Sequence, residues 1–267
     1  MRKIFYILLV LGLFSCSTND ETTTVTENQT EDLQPDKGYI FEMDQRTTLR
    51  SPEKYYQFFY ENGRLQKMLG RNYFVTANVQ IFYPDVITQL TYTNNKVQID
   101  YLETETTSGY RTTSYLMENN RPIKAEQYYK NGTDAELEMS RTYAYGANTI
   151  NVYTKRGYQE FFATYYFDGN NNLSKSETLE KTSGKNKQFT TTVYSDFDNA
   201  KNPFKKLYLI NDDFYEKSLS KNNFRAKESV IEYAEYPGGI PPQPGISKSK
   251  WTYNYDANGQ VLLYFPL

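Results

Sequence analysis

The sequence predicts an all-β fold, an antiparallel up-and-down meander forming a curved sheet or a barrel-like body. Three observations predict it. Tyrosine is abundant, with 27 residues beside 16 Phe and one Trp, and aromatic side chains favour strands. Runs rich in Tyr, Thr, Val and Ile alternate with turns built from Asn, Asp and Gly, the punctuation of hairpins. No long stretch repeats its apolar residues at the helical period of about 3.6.

The chain opens on a segment outside that fold. Arg2 and Lys3 precede an apolar run from Ile4 to Phe14, broken only by Gly12. This run falls short of the roughly 20 apolar residues that a membrane-spanning helix needs and has the length of a signal-peptide core. It ends in Leu13-Phe14-Ser15-Cys16, which resembles the lipobox of bacterial lipoproteins, with Cys16 the only cysteine in the chain. The resemblance implies cleavage before Cys16 and lipid on its sulfur and new amine, so that residues 1–15 are a signal peptide and the membrane is a partner through Cys16. A body without Cys16 has no thiol left for a disulfide, a metal or a nucleophile.

Residues 16–36 read as a disordered acidic tether. Asp20, Glu21, Glu27, Glu31, Asp32 and Asp36 stand among Thr and Asn, with only Val25 and Leu33 as large apolar side chains, too little to offset chain entropy. Asp20-Glu21 just after the cysteine resembles the surface-export signal of Bacteroidetes lipoproteins. It implies a lipid-anchored outer-membrane protein displayed at the cell surface, with the periplasmic face of that membrane as the alternative.

Residues 37–267 are read as the tyrosine-rich β domain, of a length that suits one large domain or two small ones. Tyr55 to Tyr60 runs into Glu61-Asn62-Gly63-Arg64 and then Leu65 to Leu69. A two-residue Asn-Gly turn there places Tyr60 opposite Leu65. Leu90 to Thr93 meets Asn94-Asn95-Lys96, and Tyr115 to Met117 meets Glu118-Asn119-Asn120-Arg121. Turns follow at Lys130-Asn131-Gly132, at Asp168 to Asn172, at Asp196-Phe197-Asp198-Asn199 after Val193-Tyr194, and at Asp256-Ala257-Asn258-Gly259. Asp212 to Ser220 is the one stretch that also reads as helix.

The segment Tyr253-x-Tyr255-Asp256-x-x-Gly259-x-Val261 resembles the YD-type repeat, the hairpin unit of Rhs-like proteins. Taken with the lipobox and tether, the hairpin series is similar to uncharacterised Bacteroidetes lipoprotein families, one of them described as porin-like. Asp196-Phe197-Asp198-x-x-x-Asn202-Pro203-Phe204 and Ser220-Lys221-Asn222-Asn223 resemble late motifs of that group. The likeness covers most of the body through short, turn-like motifs. It implies a curved or closed sheet and no activity. Polar residues interrupt nearly every strand, Lys185-Asn186-Lys187-Gln188 among them, and the mean hydropathy is −0.76. Lipid-facing strands need a tall apolar band, so the sequence predicts a soluble sheet held to the membrane by lipid.

Composition also narrows function. Histidine is absent, which removes the commonest general base and metal ligand. The body mixes both charge signs with no basic run, which argues against nucleic acid. Asp196, Asp198, Asp212 and Asp213 are weighed as an oxygen-rich calcium site, but without loop-ligand spacing they read as turn residues; no metal and no cofactor is expected. A carboxylate pair, as in a His-free glycosidase, has Glu103/Glu105 and Glu136/Glu138 as candidates, which read better as exposed strand charges. No catalytic residue is singled out and no enzyme is expected. The loop Tyr236 to Gly245 is rich in Pro and Gly and long for a hairpin. Tyr233, Tyr236 and Trp251 beside it are the candidate ligand-binding aromatics. The expectation is a non-catalytic binding module for a glycan or an envelope protein, with a structural role in an envelope complex as the alternative.

Overall fold

A computed structural model describes residues 32–38, 55–76, 79–102, 110–234 and 242–263. The expected signal peptide, Cys16, the expected tether up to residue 31, Glu103, Glu105 and Tyr236 lie outside the described residues.

Among the described residues, fourteen strands form one sheet in which each strand's neighbours in space are its neighbours in sequence. They are β1 Lys37–Gly38, β2 Tyr56–Glu61, β3 Arg64–Thr76, β4 Val79–Thr93, β5 Lys96–Leu102, β6 Tyr110–Glu118, β7 Arg121–Asn131, β8 Asp134–Tyr145, β9 Thr149–Arg156, β10 Gln159–Phe167, β11 Leu173–Thr182, β12 Lys185–Phe197, β13 Phe224–Tyr233 and β14 Gly245–Lys250. The up-and-down meander is therefore as the sequence predicts. Of the two forms left open, curved sheet or barrel, the sheet is the open one, with β1 and β14 as its edges.

Turn chemistry sets the hairpins. Asn62 and Gly63 take φ of 50° and 73°, and Asn119 and Asn120 take 49° and 60°. Two left-handed residues in succession make a turn whose twist matches that of the strands. The first of these turns pairs Tyr60 with Leu65, the register expected from sequence. Asp168 and Asp256 build one and the same wider turn. Each Asp Oδ1 accepts from the backbone N–H groups two and four residues on, at 2.8–2.9 Å. Asn171 and Gly259 supply the positive φ inside it. The second of these turns joins β15 Asn254–Tyr255 to β16 Val261–Leu262, a small separate ribbon.

Alternation gives the sheet two faces. In β5, Val97 and Ile99 are buried while Gln98 points out and donates to Asp100. The outer face carries cross-strand pairs such as Tyr153 on Phe162, with ring centres 4.9 Å apart.

One sequence expectation needs correction. Asp196 to Asn199 does not turn a hairpin. Instead the chain leaves β12 and makes a long excursion through a 3₁₀ turn, Pro203–Lys206, and helix α1, Asp212–Leu219, before β13 begins at Phe224. The helix is where the sequence allowed one. Asn202 and Asn211 cap the two elements, their side chains accepting from Phe204 N–H and Phe214 N–H at 2.8 Å. Asp212 and Asp213 in the first turn of α1 complement its dipole. The excursion returns across the inner face of the sheet and closes the core. Phe204, Leu207, Ile210, Phe214 and Tyr215 pack on Phe58, Leu90, Ile99, Tyr115, Tyr143 and Val152, all buried. The Phe214 ring meets Phe58 at 6.4 Å, and Tyr215 meets Tyr143 at 5.7 Å. An open sheet this wide thus obtains an inner layer from its own chain.

Candidate functional site

In an up-and-down meander, alternate turns lie at the same end of the sheet. The β2–β3, β4–β5 and β6–β7 turns therefore share one end with the excursion between β12 and β13. Each of these three turns is followed at once by a cation, Arg64, Lys96 and Arg121. The excursion brings Lys205, Tyr208 and Lys221 to the same end. The result is a groove of two adjoining hollows, about 620 Å³ and 390 Å³, whose linings share Asn120, Lys205 and Tyr208.

The walls are tyrosine rings held by their hydroxyls. Tyr92 Oη donates to Leu65 O, and Tyr145 Oη to Pro122 O, each at 2.8 Å. Tyr208 Oη reaches Asn120 O at 3.5 Å. With the hydroxyls engaged, the rings are fixed and serve as platforms. Arg64 lies over the Tyr92 ring at 5.4 Å and Arg121 over Tyr145 at 5.3 Å, within reach of cation–π attraction. Burial pushes the Tyr208 hydroxyl up to about 12 and raises Tyr92 and Tyr145 as well, so all three stay neutral hydrogen-bonding groups. Burial also draws the Lys205 ammonium below its ordinary value, with Asp32 opposing it. Asp32 is the carboxylate that lines the groove.

A second pair of hollows, about 300 and 220 Å³, lies on the inner face around Arg141, Arg156 and Asp212. Its charges are largely committed. Arg141 donates to both Asp212 oxygens at 2.6 and 3.0 Å and to Thr154 at 2.8 Å. Arg111 at its margin holds Glu138. This arrangement ties α1 to the sheet.

The four aspartates weighed as a calcium site go to separate partners. Asp196 pairs with Arg225 at 2.6 Å, Asp198 accepts from Asn223 and Tyr255, Asp212 takes Arg141 and Asp213 takes Lys217. Among the described residues no group of three carboxylate, thiol or imidazole side chains is placed to hold a metal ion. Glu136 is exposed on β8 and Glu138 is engaged by Arg111.

The two described candidate aromatics, Trp251 and Tyr233, lie apart in space. Trp251 packs edge-on against Phe224 at 5.7 Å, and its backbone N–H bonds Arg225 at the start of β13. Tyr233, 39 % exposed, ends that strand. Eight residues of strand put them roughly 26 Å apart at about 3.3 Å per residue. The rim groove was not singled out from sequence, although its signal is present. Glu61-Asn62-Gly63-Arg64 and Glu118-Asn119-Asn120-Arg121 are one turn motif, used twice and each time ending in Arg.

No family model and no curated protein matches the chain. Among solved structures, it is similar to a porin-like protein from Bacteroides vulgatus at 13% identity and a TM-score of 0.46, covering 76% of this chain and 87% of that one. It is also similar to a porin-like protein from Bacteroides uniformis at 11% identity and a TM-score of 0.40, covering 74% and 88%.

Proposed function

We propose that this chain is a lipoprotein of the outer membrane, anchored through Cys16 and displayed at the cell surface, whose β domain is a non-catalytic binding module for a glycan or an envelope protein. The observation that carries the binding role is the groove at the turn end, where three ring-fixed tyrosines stand among cations. Rings fixed in advance lose little entropy on binding and offer an apolar face with a polar edge. The lipobox and acidic tether support the address. Protein expressed in its native host should fractionate with the outer membrane and carry acyl mass on Cys16, while Cys16→Ala should leave the membrane fraction. A glycan array and an envelope pulldown with the protein should return a ligand. Material that is unacylated and binds neither class sinks the reading.

A second reading, a structural part of an envelope complex, has its own observation. β14 is a sheet edge whose Ile246 is 65% exposed, a strand able to extend a partner's sheet. Co-purification from membranes under mild detergent should then return a stoichiometric partner.

A further inference from the structure

The groove differs in charge from the rest of the molecule. Six of its lining side chains, Arg64, Lys96, Arg121, Lys205, Lys206 and Lys221, are cationic, against Asp32 alone on the acidic side. The whole chain, by contrast, holds 30 Lys and Arg against 32 Asp and Glu. Elsewhere on the sheet several cations are matched, Arg111 with Glu138, Lys124 with Glu126, Lys175 with Glu177 and Lys187 with Glu180, while others rest on aromatic rings, as Lys67 does on Phe59 and Lys181 on Phe162. Among the described residues, Arg64, Lys96, Arg121, Lys205 and Lys221 have no carboxylate at ion-pair distance. Like charges gathered round these two hollows, offset only in part by Glu61 and Glu118 across the turns from Arg64 and Arg121, repel each other and are relieved by an incoming anion.

We propose that this groove binds a polyanionic glycan, a polysaccharide bearing carboxylate or sulfate groups, with Arg64, Lys96 and Arg121 taking successive negative groups; the proposal rests on the binding-module reading and names its ligand class. Three features favour that ligand. The guanidinium groups of Arg64 and Arg121 lie over tyrosine rings, which fixes their position and leaves their N–H fork for a two-pronged bond to an oxyanion. The three cations come from turns two strands apart, so neighbours stand roughly 10 Å from one another at about 4.8 Å per strand. That periodicity suits a polymer with one charge per short repeat. Lys205 is recessed, half-buried between the two hollows. A slender chain entering the groove reaches it; the flat surface of a bilayer does not.

The test uses the full-length protein in a neutral detergent, titrated calorimetrically with polygalacturonate, dextran sulfate and unmodified dextran. Either or both polyanions should bind, polygalacturonate reporting carboxylate and dextran sulfate reporting sulfate, and dextran should not. Arg64→Gln with Arg121→Gln should weaken binding at least tenfold with the melting temperature unchanged, because both residues are exposed at the first position of their strands. Arg111→Gln with Lys124→Gln, which removes the same charge elsewhere, should leave the affinity within about twofold. Equal loss in the two double variants overturns the proposal, since attraction is then only net charge. Dextran binding as tightly as the polyanions overturns it too but leaves a glycan-binding module standing. In a further titration with an oligonucleotide, binding there without binding to either polyanion overturns it in favour of nucleic acid. Silence with all of them overturns it together with the glycan reading.

Discussion

Gly70 shows how a single position sets the path of a strand. Its φ is +105°, and a Cβ there would lie 2.6 Å from Phe82 Cζ and 3.2 Å from Tyr56 Cδ1. The register between β3 and β4 shifts at this point, between Leu69 and Arg71. Only glycine meets both the positive φ and the close ring. Gly70→Ala should cost about 2–4 kcal/mol, read as a lower denaturant midpoint with unchanged m; a variant as stable as the parent would show that this strand is free to move. Asp212 makes a second point. Burial raises its carboxyl, but the hydrogen bonds and charge of Arg141 outweigh that and hold it below the ordinary carboxylate range. A group with a depressed folded value stabilises above its unfolded value, near pH 4, and loses that contribution as pH falls through the folded value. Its side chain is 71% exposed while that of Arg141 is 11%, so solvent screens the pair. Asp212→Asn should therefore cost roughly 1–3 kcal/mol at pH 7, mostly by leaving Arg141 underpaired. It should also flatten the acid limb of the stability profile below about pH 4. An unchanged acid limb would remove this pair from the account.

At the scale of the element, the hairpins were readable and the excursion between β12 and β13 was only half so. Asn62-Gly63 dictates its turn through local backbone preference, which needs no knowledge of the rest of the chain, and Tyr60 fell opposite Leu65 accordingly. The Asp-Phe-Asp-Asn stretch at 196–199 uses the same residue types to leave the sheet. Nothing local separates the two outcomes, because Asp and Asn serve turns and helix caps alike. What decides is tertiary: Asn202 Nδ2 donates to Lys217 O and Ser220 O at 2.7 and 2.8 Å, folding the excursion onto itself. Phe214 then joins α1 to the sheet through Phe58 and to the 3₁₀ turn through Phe204. Phe214→Ala should cost about 3–5 kcal/mol and raise hydrogen exchange across α1 before the strands. Uniform loss of protection over strands and helix would mean that the excursion is no separate layer.

For the whole molecule, two consequences follow from an open sheet. The first concerns its edges. β14 carries Lys248 and Lys250, engaged with Glu228 and Asp196 at 2.9 and 3.5 Å, and charge on an edge discourages pairing between copies. Lys248→Ile with Lys250→Ile should shift the protein toward dimers and larger species in sedimentation velocity; a strictly monomeric variant would show that the edge is protected otherwise. The second concerns the groove. Its residues come from turns far apart in sequence, Arg64, Lys96 and Arg121, and from Lys205 and Lys221 in the excursion. Their assembly follows only from counting strands correctly, since an error of one strand sends a turn to the opposite end. The same arithmetic is why Tyr233 and Trp251, close in sequence reading to one loop, lie at opposite ends of β13. Hydrogen–deuterium exchange on the full-length protein, with and without polygalacturonate or dextran sulfate, tests most directly whether the turn end is the binding surface. Slowed exchange confined to residues 62–65, 94–97, 119–123 and 203–208 is the predicted result. Slowing around Tyr233 or on the Tyr153–Phe162 face, with those turns unaffected, would contradict it.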